Sequence, residues 1–145
     1  MRTIRGMALG ELAAEEGKKG FMELIPAAGI VTKVTRILWN SADTDVNLIY
    51  HTATQTGSGA AETVVNKDLG GNTPLTTAKT EAAASISGTV IANRKHSANA
   101  DVNFDLTDAP IIIKTGAYLI VACNAVNKAI NNCTIEFHEI KNINA

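Results

Sequence analysis

The chain has 145 residues, of which 46% are hydrophobic and 19% are charged, a composition typical of one globular domain and not of a disordered or fibrous protein. Thirteen basic and 14 acidic residues leave a net charge of −1, which excludes the strongly basic surface expected of a protein that binds nucleic acid or an anionic membrane. The 16 Thr and 13 Asn residues favour strands and turns over long helices.

Neither a membrane span nor an export signal is expected. The longest unbroken apolar run, residues 117–123, is far shorter than the ~20 residues that cross a bilayer as a helix. The first residues are basic, but Glu11, Glu15 and Glu16 interrupt them before an apolar signal core develops. We therefore expect a protein that folds in a reducing cytoplasm.

Residues 1–20 differ in composition from the rest of the chain. Ala8, Leu9 and Leu12 are interspersed with glutamates and followed by Gly17 and Gly20, a pattern that predicts a short helical turn ended by glycine. Such a helix is too short to be stable alone in water, so the segment either docks on a partner or is a mobile arm. We therefore divide the chain into an arm at 1–20 and a domain at 21–145.

The domain that follows carries a pattern of strands separated by turn residues. Alternation or β-branched composition predicts strands at 21–25, 30–39, 46–50, 63–69, 85–93, 102–106, 111–113, 117–123 and 133–139, whereas 79–84 fits a helix or a strand. Strands at about 10–15-residue spacing with no βαβ alternation predict an all-β fold, an antiparallel β-sandwich or jelly roll.

The two cysteines lie near the ends of the last two predicted strands. If 117–123 and 133–139 form a hairpin, all apolar side chains of the second strand lie on one face of the pair. The pairs are then Cys123 with Cys133, Val121 with Ile135, and Leu119 with Phe137. The cysteines are either buried thiols or a cross-strand disulfide, and both alternatives stay open.

No catalytic or metal-binding constellation is evident. His51, His96 and His138 are far apart in the chain and predicted to lie at the surface, with no second ligand at metal-binding spacing. Ser58 lies between two glycines without the strand–turn–helix context of a hydrolase nucleophile. We therefore expect no enzymatic activity, no cofactor and no bound metal.

Charged residues in the domain fit solvent-exposed positions better than sites. Asp101 and Asp105 alternate with apolar residues, as on the wet face of a strand. The run Arg94-Lys95-His96 has no flanking aromatic residue on which a base could stack. No nucleic-acid partner is therefore expected.

Three segments carry a resemblance to a known class of proteins. They are Asp101-Val-Asn-Phe104, then Ala109-Pro-Ile-Ile-Ile-Lys-Thr-Gly-Ala-Tyr-Leu-Ile120, which contains a Lys-x-Gly-x-Tyr turn, and Cys133-Thr-Ile-Glu-Phe-His-Glu139, which ends aromatic-x-Glu. Upstream, 38–51 matches an early strand pair and 63–69 a middle one. Over about residues 30–140 the chain resembles small virion β-sandwich proteins of tailed bacteriophages, of the head decoration or head-fibre type.

The resemblance implies a non-enzymatic protein that binds the outside of a phage capsid and stabilises it, located on the virion and made in the host cytoplasm. Its partners would be the major capsid protein and other copies of itself in a homotrimer. The arm would reach across the shell, and its expected contact residues are Arg2, Arg5, Leu9, Leu12, Lys18 and Lys19.

Two other classes remain open. A receptor-binding or fibre-tip β-domain would contact the host surface through the Asn-, Thr- and Gly-rich loops at 52–61, 70–77 and 124–132, although no aromatic residue lies in them. A small jelly-roll enzyme would need a His/Glu cluster on its inner strand faces, which the pattern does not provide. Fold alone does not separate these classes.

Overall fold

The structure, a computed structural model, describes residues 3–52, 59–68 and 70–141. Within these ranges no residue is helical, and the strands form two six-stranded antiparallel sheets packed face to face. The predicted all-β sandwich is confirmed. The described strands are, in chain order, β1 Thr3–Leu12, β2 Lys19–Ile25, β3 Ile30–Ser41, β4 Asp45–Thr52, β5 Ala60–Ala61, β6 Thr63–Asn66, β7 Thr77–Ala83, β8 Thr89–His96, β9 Asp101–Asp105, β10 Ile111–Ile113, β11 Tyr118–Cys123 and β12 Ile130–Lys141.

The two sheets differ in how their strands are ordered. Sheet I has the order β10-β3-β12-β1-β6, with β9 pairing the other half of the same edge of β3. Sheet II has the order β5-β7-β2-β11-β4-β8. Every pairing is antiparallel, as expected for strands that alternate between a buried and a solvated face.

The main core lies between the sheets and is built from alternate residues of the central strands. Its largest fully buried side chains include Trp39, Ile37, Ile135 and Phe137 from sheet I and Met22, Leu24, Ile49 and Leu119 from sheet II. Both cysteines belong to this core and are free thiols.

A second, smaller cluster covers the opposite face of sheet II. Phe21, Ile120 and Ala122 are fully buried there, with Ala83 and Ile86 packed against them. Strand β11 is therefore apolar on both faces, which explains the unbroken apolar run at 117–123.

The predicted amino-terminal arm is wrong. Residues 3–12 form β1, an interior strand that pairs with β12 on one side and β6 on the other. Neither a helical turn nor a domain boundary lies at 20, since β2 begins at Lys19. The reason is that Gly6, Ala8 and Gly10 alternate along the buried face, and small residues there let the core pack against the backbone.

The predicted hairpin is also wrong. Strand β11 lies between β2 and β4 in sheet II, whereas β12 lies between β1 and β3 in sheet I. The loop at 124–129 therefore crosses from one sheet to the other. The apolar residues of the two strands face the same core from opposite sides instead of pairing within one sheet. Of the ambiguous segment at 79–84, residues 79–83 belong to strand β7.

Candidate interaction surfaces

The outer face of sheet I carries a cluster of charged side chains centred on Glu136, which we call the sheet I patch (Arg5, Lys33, Arg36, Lys67, Glu136 and His138). Glu136 lies between the buried Ile135 and Phe137, so its side chain points away from the core. Its carboxylate accepts a hydrogen bond from Lys67 Nζ at 2.6 Å and lies 3.6 Å from Arg36 Nη1. The Glu136 side chain is only 13% exposed, so the two cations largely cover it.

His138 belongs to the same patch. It lies opposite Arg5 on one neighbouring strand and Lys33 on the other. Partial burial first, and then the positive charges of Lys33, Arg5 and Lys67, lower the pKa of His138 below its usual value. Its imidazole is therefore mostly neutral at pH 7, and the positive charges of the patch lie beside a largely covered carboxylate.

Aliphatic side chains share this outer face with the charges. Leu9 of β1 is 38% exposed and lies between Thr134 of β12 and Thr63 of β6. A shallow groove of about 290 Å³ runs beside it, lined by Leu9, Gly10, Glu11, Glu62 and residues 131–134. An exposed sheet face that carries both aliphatic and charged side chains is compatible with contact to another protein.

The structure places the contact residues that were expected from the sequence in different parts of the molecule. Arg5, which forms an exposed ion pair with Asp68, and Leu9 lie on the outer face of sheet I. Leu12 instead turns inward and packs against the main core. Lys18 and Lys19 lie at the β1–β2 turn, where the Lys18 carbonyl accepts a hydrogen bond from the Asn127 amide at 3.0 Å. Arg2 lies outside the described residues.

A cleft opens where the edge of sheet II meets the edge of sheet I. It has a volume of about 650 Å³ and is lined by residues of β4, β8 and β9, among them Asp45, Arg94, Lys95, His96 and Asp101. Arg94 stacks on the Phe104 ring, 5.1 Å from its centroid, and donates to the Asn103 carbonyl. This contact brings β8 and β9 side by side.

His96 is the inner residue of this cleft. It ends strand β8 and is only 8% exposed, so the prediction that it lies on a surface loop is wrong. Its Nδ1 lies 3.2 Å from the Ser97 carbonyl, and its Nε2 has no hydrogen-bond partner within the described part of the chain. The sequence alone does not predict this burial, because the pairing of β8 with β4 decides which side chains of β8 face inward.

Glu139, the last residue of the aromatic-x-Glu pattern Phe137-His138-Glu139, has a structural role. It is 2% exposed and accepts hydrogen bonds from the amides of Leu75 and Thr76 at 2.9 and 2.7 Å and from the Thr76 hydroxyl at 2.6 Å. The Thr76 hydroxyl also lies 3.0 Å from that of Thr32. Glu139 therefore fastens the loop before β7 to the end of sheet I.

Polar side chains also fasten the loops at the opposite end of the sandwich. Asp45 accepts hydrogen bonds from the Asn124 and Ala125 amides, and Asp43 accepts one from the Ala129 amide. Asn40 bonds with Asn99, Asp101 and Asn131 in one amide network. These hydrogen bonds hold the Asn-rich loops in place, and they occupy the polar groups that form them.

Within the described ranges, no group of three His, Cys, Asp or Glu side chains is placed to hold a metal ion. Burial raises the pKa of Cys123 to about 12 and that of Cys133 further still, so neither forms the thiolate that acts as a nucleophile at neutral pH. No helix of the described residues is long and apolar enough to cross a membrane.

Comparison with models of protein families finds no match, and searches of curated proteins and of solved structures find none either.

Proposed function

We propose that this protein is a virion structural protein that binds the outside of a phage capsid and stabilises it, using the outer face of sheet I. The observation that carries the proposal is the contrast between the two outer faces. The middle of sheet II is closed, with Phe21, Ile120 and Ala122 fully buried under Ile86. Sheet I instead presents Leu9 beside the charged patch around Glu136.

The composition of the sheet I face suits a protein partner. Its cations are interleaved with carboxylates, as in the Arg36–Glu136 and Arg5–Asp68 pairs, so the face has no uniform field that would attract a phosphate backbone. Charges arranged this way fix the register of a protein contact, while exposed aliphatic groups such as Leu9 contribute burial.

Stabilisation of the shell would follow from mass action. A protein that binds the assembled shell more tightly than its loose subunits shifts the equilibrium toward the shell. Because residues 3–12 are an interior strand, the contact would be made by a rigid sheet and not by an extended arm. Little conformational entropy would then be lost on binding.

The alternative is a receptor-binding or fibre-tip domain that contacts the host surface through its loops. Two of the three candidate loops are fastened at opposite ends of β12: the loop before β7 binds Glu139, and the loop at 124–129 leads directly into Ile130. At about 3.3 Å per residue these positions are roughly 30 Å apart. One receptor site built from both loops is therefore disfavoured, and most of the third loop lies outside the described residues.

Co-sedimentation with expanded heads of the phage that encodes this chain tests the proposal. We expect the wild-type protein to bind and to raise the temperature at which the heads open. Leu9→Asp and Lys33→Glu, both on the sheet I face, should weaken binding by about tenfold or more, because they add a desolvated or repelling charge to the contact.

Matched controls lie in the loop at 124–129. Val126 is 37% exposed and Leu9 is 38% exposed, so Val126→Asp controls for the added charge, and Lys128→Glu matches Lys33→Glu. Both controls should bind heads as the wild type does. Absence of wild-type binding to heads would contradict the proposal. Binding of the isolated protein to host cells that Val126→Asp abolishes would favour the fibre-tip alternative.

A further inference from the structure

The strands at one side of the sandwich are edges. Among the described residues, β8 has a partner only in β4, and β9 and β10 have a partner only in β3. Arg94 on Phe104 shows that the β8 and β9 edges lie next to each other. Unpaired backbone groups along an edge strand are a template for contact with another chain unless the edge is protected.

This edge is apolar over part of its length. Six large hydrophobic side chains in the described ranges are exposed, and three of them lie on these strands: Val90 and Ile91 on β8 at 44% and 46%, and Ile112 on β10 at 54%. Ile91 sits in a β-bulge, opposite no residue of β4. Single exposed apolar residues are ordinary, whereas several on adjoining strands favour a contact surface.

The rest of the edge is divided by charge. Strand β8 carries Arg94 and Lys95 and no acidic residue, while β9 carries Asp101 and Asp105 and no basic residue. Within the described part of the chain, neither Arg94 nor Lys95 forms an ion pair. The positive strand and the negative strand are adjacent, on the same side of the molecule.

Such a surface is complementary to itself. Rotation by 180° about an axis that runs between β8 and β9 places β8 of one copy, which is positive, on β9 of the other copy, which is negative. The same contact therefore occurs twice in the dimer. A ring of three would instead need two separate complementary surfaces on each subunit. We propose that this edge is a two-fold interface between two copies of the chain, with β8 of each copy against β9 of the other.

The interface can be tested apart from capsid binding, because the oligomeric state is measured without heads. It adjoins the sheet I face, since Asp105 of β9 lies opposite Arg36 and Ile112 of β10 lies opposite Lys33. It is also distinct from the homotrimer implied by the resemblance, and the measured mass in solution separates the two.

A charge-swap experiment tests the proposal by sedimentation equilibrium of the full chain. Arg94→Glu/Lys95→Glu makes both strands of the edge negative, and Asp101→Lys/Asp105→Lys makes both positive. We expect the wild type to be a dimer and each double variant to dissociate, with a dimer Kd raised by more than about tenfold. An equimolar mixture of the two variants should restore dimers, because both contacts of the mixed pair unite opposite charges.

The mixture also guards against loss of folding, since misfolded variants would not recover a defined 1:1 dimer. Lys18→Glu/Lys128→Glu, at the end of the sandwich, changes the net charge equally and should leave the dimer intact. Ile91→Lys should weaken the dimer without changing the circular dichroism spectrum. A monomeric wild type, a trimer that these substitutions do not affect, or a mixture that stays monomeric would each overturn the proposal.

Discussion

Gly6 of β1 lies directly opposite Phe137 of β12, and the aromatic ring occupies the space where a side chain at position 6 would begin. A methyl group built on Gly6 overlaps the ring edge, and Phe137 is fully buried, so the ring has no solvent into which it can move. The glycine is needed for close approach and not for an unusual backbone angle.

Gly6→Ala should therefore destabilise the protein by about 1–3 kcal/mol through overpacking. Urea denaturation followed by tryptophan fluorescence measures the change, since Trp39 is in the same core. The shorter side chain of Phe137→Leu should relieve the overlap, so the double variant should be less destabilised than the sum of the single variants by about 1 kcal/mol. Additive effects would show that the ring is not the obstacle.

The misassignment of residues 1–20 has a physical reason. Ala8, Leu9 and Leu12 are good helix formers, and intrinsic propensity is a weak preference that tertiary pairing overrides. The feature that indicates a strand is the alternation of Gly6, Ala8 and Gly10 with larger residues. Small residues on a buried face carry little hydrophobic signal, although they are what a core filled by Phe137 requires.

The strand positions were largely predictable, but their partners were not. Apolar alternation in 117–123 and 133–139 is equally compatible with a pair within one sheet and with two strands facing each other across a core. Both arrangements bury the same residues, so the pattern cannot choose between them. The charges of β8 and β9 are visible in the sequence, whereas their adjacency depends on the strand order of two sheets.

Glu139→Gln should destabilise the fold by about 1–3 kcal/mol, because an amide group would turn a donor toward one of the backbone amides of Leu75 and Thr76 that now donate to the carboxylate. Glu136→Gln is the matched control on the same strand but the opposite face, and its loss should stay below about 1 kcal/mol. Urea denaturation measures both. Equal losses of unfolding free energy in the two variants would show that the Glu139 hydrogen bonds contribute no more to stability than the Glu136 ion pairs.

The cysteine thiols should be inert in the folded protein. Both are buried and free, and burial raises the pKa of Cys123 to about 12. With a thiol-specific colorimetric reagent at pH 8, native protein should react only as fast as the core opens, whereas protein in urea should release the signal of two thiols at once. Rapid labelling of one thiol without denaturant would contradict the described packing.

His138 should make the stability of the protein depend on pH. Burial and the charges of Lys33, Arg5 and Lys67 lower its pKa in the folded state, whereas the unfolded chain protonates it near pH 6.5. The unfolded state therefore binds more protons in this region, and stability falls as the pH drops from about 7 through 6.5 toward the folded pKa.

His138→Gln should flatten the pH dependence of the urea midpoint between about pH 5 and 7.5, because it removes the group that the unfolded state protonates more readily. Lys33→Gln should raise the pKa of His138 measured by NMR titration, since Lys33 is the positive charge that lowers this pKa most. An unchanged His138 titration in Lys33→Gln would show that Lys33 does not contribute to the shift. A wild-type urea midpoint that does not fall as the pH drops would contradict the lowered pKa of His138 in the folded state.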